Sequence, residues 1–506
     1  MSKPTSHREI EFKFTIPPAV SFDLSELLSP YQDEATQLSQ RNMVAIYYDT
    51  PTLSLLRWGV TLRHRTGGGD DGWHMKLPVG QVSGGTQRDE IHADGTPSSV
   101  PGQLATIAAP LMRRQELRPM ATVTTNRTPF VIADEDGQHL VEIVDDLVTV
   151  TADSDSGSTP TRAAFHEVEV ELLIDSKLAR RVAADVSRAL IAKGAQPSSV
   201  SKAARALGPA AADPPDVPSL AFPKPSAPSV DALKAIFSTY VRDLLLADVG
   251  VRRDTPDSVH QMRVACRRLR SALKTFRPLL DAEAVTYLRE ELRWLASELG
   301  EVRDAEVQRS RFSALTTSEQ VRTFIIETLD ARLRAASSGA LAALRSDRHD
   351  FLLEDLILLV SEPPVTADAF DPAEERLAEC ARAPWRRLRK AVSRASLEGP
   401  AEEWHEVRIR AKQARYAAEA VAPILGNDFL QLAKPLAKAT DLLGARQDAH
   451  VATIVLREIA AQAPGEIAFD LGVLAAQGEV AGDQDIRAFR RRWPDIVHRA
   501  GRAGLE

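Results

Sequence analysis

A proline-rich stretch divides this chain and does most to decide what it can fold into. From Gly208 to Ser229 it reads GPAAADPPDVPSLAFPKPSAPS. Prolines recur every few residues and no amphipathic pattern survives them, so the composition predicts a semi-rigid, extended linker over residues 207–229. The texture differs on its two sides. Before it, short alternating segments are set off by Gly, Asp and Pro turns: EIEFKFTI at 9–16, VTLRHR at 60–65, WHMKLP at 73–78 and HEVEVELL at 166–173. These are strand signals. After it, Ala, Leu, Arg and Glu recur at helical spacing. The expectation is an α+β chain of two domains: a β-rich domain over 1–206, closed by a helix near 176–194, and an all-α domain over 230–506.

Composition narrows the function classes. The 506 residues are 44% apolar, enough for a sizeable core. With 63 basic against 70 acidic side chains the formal net charge is −7. That makes nucleic acid an unfavoured partner, while local basic surfaces stay possible. Cys266 and Cys380 cannot form a disulfide scaffold, and no Cys/His metal spacing accompanies them. The N-terminus, MSKPTSHREIEFKF, has no apolar signal core. The longest apolar run, FLLEDLILLV at 351–360, is too short for a bilayer and carries two acids. A soluble, cytoplasmic protein with no membrane partner is expected.

In the β half, charges gather on one face of each strand. Side chains alternate along a strand, so Glu9, Glu11 and Lys13 point one way while Ile10, Phe12 and Phe14 point the other. The same holds for Arg63 with Arg65, His74 with Lys76, Arg88 with Glu90, and Glu167 with Glu169 and Glu171. One polar face is ordinarily just solvated. Several such faces, carrying both signs, converge inside the sheet if it curls into a barrel. Burying so many charges without a ligand would cost several kcal/mol each. A polyanion with divalent cations resolves the conflict: Lys and Arg grip phosphate oxygens, and carboxylates hold Mg²⁺ or Mn²⁺.

These residues carry a resemblance. The first half resembles the CYTH family, the triphosphate tunnel metalloenzymes. The E-x-E-x-K opening (Glu9, Glu11, Lys13), YYDTP at 47–51, the run Leu62–Arg65, Lys76, the R-x-E of Arg88 and Glu90, Arg127, VEIVDD at 141–146, EVEVEL and Ser201-Lys202 follow in the family's order. The resemblance implies an eight-stranded antiparallel β-barrel that binds triphosphate and hydrolyses a phosphoanhydride with Mg²⁺ or Mn²⁺. It assigns Lys13, Arg63, Arg65, Lys76, Arg88, Arg127 and Lys202 to phosphate oxygens. Glu9, Glu11, Glu169 and Glu171 go to metal or water. Lys13 and Glu90 complete the catalytic set, and Asp145, Asp146 and Glu167 the metal set. Asp145 and Asp146 compete for one family position: alternation puts Asp146 on one face with Glu142, while a bulge at the strand end would present Asp145 instead, and both stay open. Neither a Ser/His/Asp set nor a G-x-x-x-x-G-K-[ST] loop accompanies them.

The α half contains an internal repeat. SVHQMRVACRRLRSALKTF at 258–276 resembles EWHEVRIRAKQARYAAEAV at 403–421, and LGEVRDAEV at 299–307 resembles LGARQDAHV at 443–451. Two copies of one helical unit, at about 233–307 and 378–451, predict tandem helical bundles related by a pseudo-two-fold axis. In the first copy His260, Arg263, Arg267, Arg270 and Lys274 recur at alternating spacings of three and four. They share one narrow arc of a helix. Met262, Leu269, Leu273 and Phe276 occupy the opposite side. His405, Arg408, Lys412 and Arg415 repeat the stripe, and Arg289 and Arg293 match Lys434 and Lys438. A solvated helix face mixes signs to gain i,i+4 pairs, whereas this one stacks like charges. Its natural counter-ion is a polyanion. In the second copy Glu419 stands at the place of Lys274 and Gln447 at that of Arg303, which weakens that groove.

This half is similar to the CHAD family, whose helical domains carry histidines and basic residues in two such repeats. That resemblance implies binding of inorganic polyphosphate by the two stripes together with Arg289, Arg293, Lys434 and Lys438. The leading expectation is an inorganic triphosphatase acting on tripolyphosphate, with possible association with polyphosphate granules. Two readings stay open beside it: a non-catalytic polyphosphate-binding or granule-targeting protein, and a CYTH enzyme acting on thiamine triphosphate or a nucleoside triphosphate.

Overall fold

The computed structural model describes residues 5–82, 85–152, 161–314, 318–396, 400–478 and 483–505. The chain separates into two compact units, Met1–Asp216 and Val217–Glu506. The proline-rich stretch is pinned at its middle. Asp213 pairs with Arg57 at 2.9 Å and Asp216 accepts from the Trp58 indole at 3.1 Å, within the first unit. The carbonyls of Val217 and Pro218 accept from Arg242 and Ser238, within the second.

The first unit is built on strands β1 (Thr5–Ile16), β2 (Ala35–Gln37), β3 (Arg41–Asp49), β4 (Thr61–Thr66), β5 (Gly72–Val82), β6 (Gly85–Ala93), β7 (Arg118–Ala133), β8 (His139–Ala152), β9 (Thr161–Leu172) and β10 (Gln196–Ser198). Hydrogen bonding runs β1-β6-β5-β4-β3-β7-β8-β9, and β9 returns to β1. The result is the expected closed, eight-stranded antiparallel barrel; β2 and β10 are short additions on β7 and β1.

Alternation sorts the two faces of the wall. The outward set of β1, β8 and β9 (Ile10, Phe14, Ile143, Val168 and Val170) is buried in one apolar cluster. Of the helices of this unit, α1 (Leu24–Leu27), α2 (Ser54–Arg57), α3 (Gly102–Met112), α4 (Lys177–Ala192) and α5 (Lys202–Leu207), α4 covers this cluster with Val182, Val186 and Leu190, and α1 adds Leu24 and Leu27. Ser176 caps α4, its hydroxyl accepting from the Ala179 amide at 3.1 Å. A second cluster packs Ala203 and Ala206 of α5 against Ala45, Tyr47, Val123, Val148 and Val150. These are inward positions, so α5 fills the apolar end of the barrel interior and delivers Lys202 to its polar part.

The YYDTP segment is a capping device. Asp49 is buried at the end of β3 and accepts from the amides of Thr50 (2.7 Å), Leu55 (2.9 Å) and Leu56 (2.9 Å), tying the strand to α2.

The second unit contains α6 (Ser229–Arg252), α7 (Ser258–Thr275), α8 (Ala282–Ser313), α9 (Glu319–Leu344), α10 (Asp347–Ser361), α11 (Ala373–Arg394), α12 (Ala401–Leu425), α13 (Asn427–Ala460), α14 (Gly465–Gly478) and α15 (Asp483–Arg502). The repeat read in the sequence spans α6–α8 and α11–α13, and the structure extends it to five helices per copy. Equivalent helices pack on each other, α6 on α11 and α7 on α12. The Ser229 amide donates to the Asp371 carbonyl at 2.9 Å, and the Ala373 amide donates to the Ala227 carbonyl at 2.8 Å. Ser229 and Ala373 are the first residues of α6 and α11, so these bonds are reciprocal, as a pseudo-two-fold axis requires. Inside the first copy a fully buried Asp248 takes Arg252 at 2.7 Å and His349 of α10 at 2.6 Å, locking α6 to α10.

Asp49→Ala leaves three buried amides without their acceptor and should destabilise the protein by about 1–3 kcal/mol, read by urea denaturation followed through tryptophan fluorescence.

Candidate functional site

The barrel interior has two unlike walls. Register places Tyr47 of β3 beside Arg63 of β4, Arg63 beside His74 of β5, and Lys76 of β5 beside Glu90 of β6. With Arg65 and Arg88 these strands make a basic wall. Across from it, Glu142 of β8, Glu171 of β9 and Glu11 of β1 stand abreast on three adjacent strands. Below them lie Glu169 beside Lys13, and Asp146 beside Glu167 and Arg127. Between the walls is a cavity of about 210 Å³, lined by Glu9, Lys13, Arg63, Arg65, Lys76, Arg88, Glu90, Arg127, Glu142, Glu169, Glu171 and Lys202.

Most of these charges answer one another. The Lys76 ammonium donates to both oxygens of Glu9, at 2.6 and 2.7 Å. Lys13 lies 2.8 Å from Glu169 and 3.4 Å from Glu11. Arg127 grips Asp146 through two bonds of 2.8 and 2.7 Å, and reaches Glu169 at 3.0 Å. Lys202 meets Glu167 and Glu169 at 2.7 Å each and Asp146 at 3.0 Å. Arg88 comes within 3.6 Å of Glu11.

The acidic wall therefore splits into two chemistries. Burial alone would raise the Glu169 carboxyl, but Lys13, Lys202 and Arg127 hold it well below the usual carboxylate range. Glu171 is the opposite case. Burial, then the charges of Glu9, Glu11 and Glu142, push it up to about 8, against which Lys76 is insufficient. Arg65 is drawn down to about 9 by burial and by Arg63 and Arg127.

The structure brings together Glu9, Glu11, Lys13, Arg63, Arg65, Lys76, Arg88, Glu90, Arg127, Asp146, Glu167, Glu169, Glu171 and Lys202. Asp145 does not join them. Neighbours on a strand face opposite ways, and Asp145 lies on the outer face bound to His166. Asp145 is therefore no member of the tunnel set, and of the two acids Asp146 alone faces the interior, where Arg127 and Lys202 hold it. Sequence reasoning passed over Glu142, although it lies four residues before Asp146 on the same face. It also passed over the Tyr47 hydroxyl, which accepts from Arg63 at 3.4 Å. Arg63, Lys202 and Lys13 lower that phenol despite its burial.

In the helical unit the first stripe is a half-buried row along α7. Arg263 lies over Gly300, where an added Cβ would come within 3.1 Å of its guanidinium, and donates to the Leu299 carbonyl at 3.3 Å. Arg408 lies over Gly444 with the same 3.1 Å clearance. The glycine of each L-G pair thus makes room for the leading arginine of each stripe. The buried Nε atoms of Arg267, Arg270, Arg289 and Arg408 have no hydrogen-bond partner. Burial, then Arg293 and Arg289, lower the Arg270 pKa; burial, then Arg387, Arg410 and Arg289, lower that of Lys274. Arg387 of α11 and Arg410 of α12, outside the expected set, are thus charges that Lys274 feels, though Arg410 is itself paired with Glu406 at 2.6 Å. In the second copy Glu419 takes Arg415 at 2.7 Å. His405, Lys434 and Lys438 are exposed and Lys412 is half-buried; Gln447 falls outside the described residues.

A CYTH domain model matches residues 7–207, and a CHAD domain model matches residues 235–457. The chain is a CYTH–CHAD protein. An uncharacterized protein of Mycobacterium tuberculosis is 34% identical over 505 residues, covering 94% of this chain and 93% of that one. The crystal structure of the CHAD domain from the plant Ricinus communis is 25% identical, covers 54% of this chain and 94% of its own, and superposes with a TM-score of 0.47. A Hippeastrum protein, HpAC1, described as revealing a dominant triphosphatase activity, is 17% identical over 38% of this chain and 92% of its own, with a TM-score of 0.24. By its family-model match the first unit belongs to the CYTH family of triphosphate tunnel proteins. No helix among the described residues is long and apolar enough to cross a membrane.

The tunnel's donor set fits a hard divalent cation. Like charges directly opposite on adjacent strands repel, and Glu142, Glu171 and Glu11 are three in a row with Glu9 close by. An oxygen-only set of this kind is what Mg²⁺ or Mn²⁺ takes.

Because the Glu171 pKa rises from 4.5 to about 8 on folding, its ionisation opposes folding, and that cost grows as pH climbs through this window. In chelator-treated protein, Glu171→Gln should unfold at a higher temperature than the wild type at pH 8, the gap closing toward pH 4.5. Mn²⁺ should raise the wild-type melting temperature and leave that of Glu171→Gln nearly unmoved.

Proposed function

We propose that the CYTH barrel is an inorganic triphosphatase, hydrolysing tripolyphosphate to pyrophosphate and phosphate with Mg²⁺ or Mn²⁺, and that the CHAD domain binds longer inorganic polyphosphate. The observation that carries the reading is the pair of opposed walls: a basic face for phosphoryl oxygens, and across a narrow cavity a glutamate cluster in which Glu142 and Glu171 stand side by side. Arg63, Arg65, Lys76, Arg88 and Arg127 bind and straighten the anion, with Lys13 and Lys202 at its acidic side. The geometry of guanidinium forks suits two oxygens at once. Glu9, Glu11, Glu142 and Glu171 would hold the cation, which when bound neutralises charge developing on the transferred phosphoryl group.

The reaction needs one water. Its oxygen bonds to the terminal phosphorus as the bridging P–O bond breaks, and the electron pair leaves on pyrophosphate. Glu169, locked by three cations, stays ionised and fixes Lys13 and Lys202. Glu171, beside the cation it would help hold, orients the water, and the cation's charge would let that water lose its proton to solvent. Two carboxylates two residues apart thus divide structural and cation-holding work by environment.

A panel of tripolyphosphate, long-chain polyphosphate, ATP and thiamine triphosphate, with and without Mn²⁺, tests this. Metal-dependent phosphate release should be fastest on tripolyphosphate, and Glu9→Gln or Glu11→Gln should lower it by more than about a hundredfold, beyond the loss typical of an outer-shell partner. Equal rates with chelator would defeat the assignment, and no turnover on any substrate would favour a purely binding protein.

For the CHAD domain, the support is the row of buried guanidinium nitrogens without partners and the like-charge crowding along α7. Association with polyphosphate granules belongs to this reading. Affinity for long-chain polyphosphate should fall steeply with salt. Arg267→Glu should weaken it several-fold more than Arg415→Glu, since Glu419 already neutralises Arg415; titration calorimetry at two ionic strengths reads both effects.

A further inference from the structure

Two histidines at the tunnel mouth take no part in the reading above. His74 and His92 are register partners on β5 and β6, their rings edge-on with centroids 4.9 Å apart. Asp70 reaches them from the tight 67–72 loop, where Gly67, Gly68, Gly69 and Gly72 all take left-handed φ values that other residues avoid. An Asp70 carboxylate oxygen lies 3.7 Å from His74 Nε2 and 3.9 Å from His92 Nε2. One ligand atom from each residue can be chosen so that all three lie within 4.8 Å of one another.

Hydrogen bonding at His74 is unbalanced. The ring is buried, its Nδ1 is 2.9 Å from a Glu90 carboxylate oxygen, and its Nε2 is 3.2 Å from the Asp70 carbonyl. Lys76, the His74 hydrogen bond and Arg63 keep Glu90 ionised against its burial. A neutral imidazole has one N–H. With that N–H on Glu90, the Nε2 lone pair points at a carbonyl oxygen, acceptor against acceptor. A second proton would answer the same carbonyl, but it would add charge to a buried ring beside Arg63 and Arg65. His92 Nε2 lies 3.2 Å from the Asp71 carbonyl, to which a neutral ring can donate. A cation between the two rings would satisfy the His74 Nε2 lone pair and take His92 Nε2 in place of that bond.

We propose that Asp70, His74 and His92 form a binding site for one borderline divalent cation of the Zn²⁺ class, separate from the hard-cation site of the tunnel glutamates. Two imidazoles and a carboxylate suit such an ion, while Mg²⁺ favours all-oxygen sets. The Glu90–His74 bond fixes the tautomer and aims Nε2 outward, the orienting contact that metal-bound histidines usually have. Ligand atoms of one tetrahedral Zn²⁺ stand about 3.3 Å apart, so Asp70 and His92, the two more exposed members, draw in by up to about 1.5 Å when the ion binds. Asp70 and Gly68 line the cavity, and Asp70 also pairs with Arg65. An ion here therefore fixes the loop that borders the anion's entrance.

The test uses the full-length protein stripped of metal, with Co²⁺ as the probe and no substrate. Wild type should show a visible d–d absorption band that stoichiometric Zn²⁺ removes and excess Mg²⁺ does not. His92→Ala and Asp70→Asn should each weaken the band's titration by more than about tenfold, with melting temperatures confirming that the variants fold. Glu171→Gln should keep it, which separates this site from the tunnel glutamates. Unchanged Co²⁺ affinity in His92→Ala and Asp70→Asn would overturn the proposal. So would a band that Glu171→Gln abolishes, or no band in the wild type.

Discussion

Three glutamates standing abreast on β8, β9 and β1 are the constraint around which the barrel is organised. A sheet does not ordinarily place like charges side by side, and a closed one cannot turn them out to water. The other inward charges on the acidic side have answering cations, Lys76 for Glu9, Lys13 and Lys202 for Glu169 and Arg127 for Asp146, and within the row Glu11 has Lys13 and Arg88 near it. Those pairs confine the imbalance to Glu142 and Glu171, which face the arginines of the opposite wall. The interior is therefore complementary to a composite guest, anionic toward one wall and cationic toward the other, rather than to either ion alone.

Such an interior is tolerable only because the rest of the wall is apolar. The outward faces of β1, β8 and β9 bury Ile10, Phe14, Ile143, Val168 and Val170 beneath α4, and α5 fills the other end of the interior with Ala203 and Ala206. Hydrophobic burial supplies stability that the mutually desolvated charges do not. Lys202 belongs to both arrangements, leaving the N-terminus of an apolar plug and ending among three acids.

Period-two alternation made most of this legible in the sequence. It separated Glu9, Glu11 and Lys13 from Ile10, Phe12 and Phe14, but it left Asp145 and Asp146 open, since a bulge at the strand end could exchange them; only the register decides for Asp146. It could equally have reached Glu142. The cluster of Asp70, His74 and His92 was beyond its reach, because one member sits in a loop whose path is set by glycine conformations rather than by a periodic pattern. The helical half was legible in its charged stripe, where three-and-four spacing leaves little freedom. Its full extent was not: α9, α10, α14 and α15 have diverged in length and sequence, so the repetition survives in their packing order alone. The part played by Gly300 and Gly444 also needed coordinates, since only they place a guanidinium over each Cα.

The reciprocal amide bonds between Ser229 and Asp371 and between Ala373 and Ala227 have a consequence of their own. In a dimer of identical chains, any substitution is stamped on both halves at once, and a loss in one groove is a loss in the other. Fusion of the two copies into one polypeptide lifts that obligation. The second copy has used the liberty: an acid stands where its twin keeps a lysine, yet the seam between the halves is intact. One half can thus serve chiefly as scaffold while the other retains the binding chemistry, an asymmetry closed to any true homodimer.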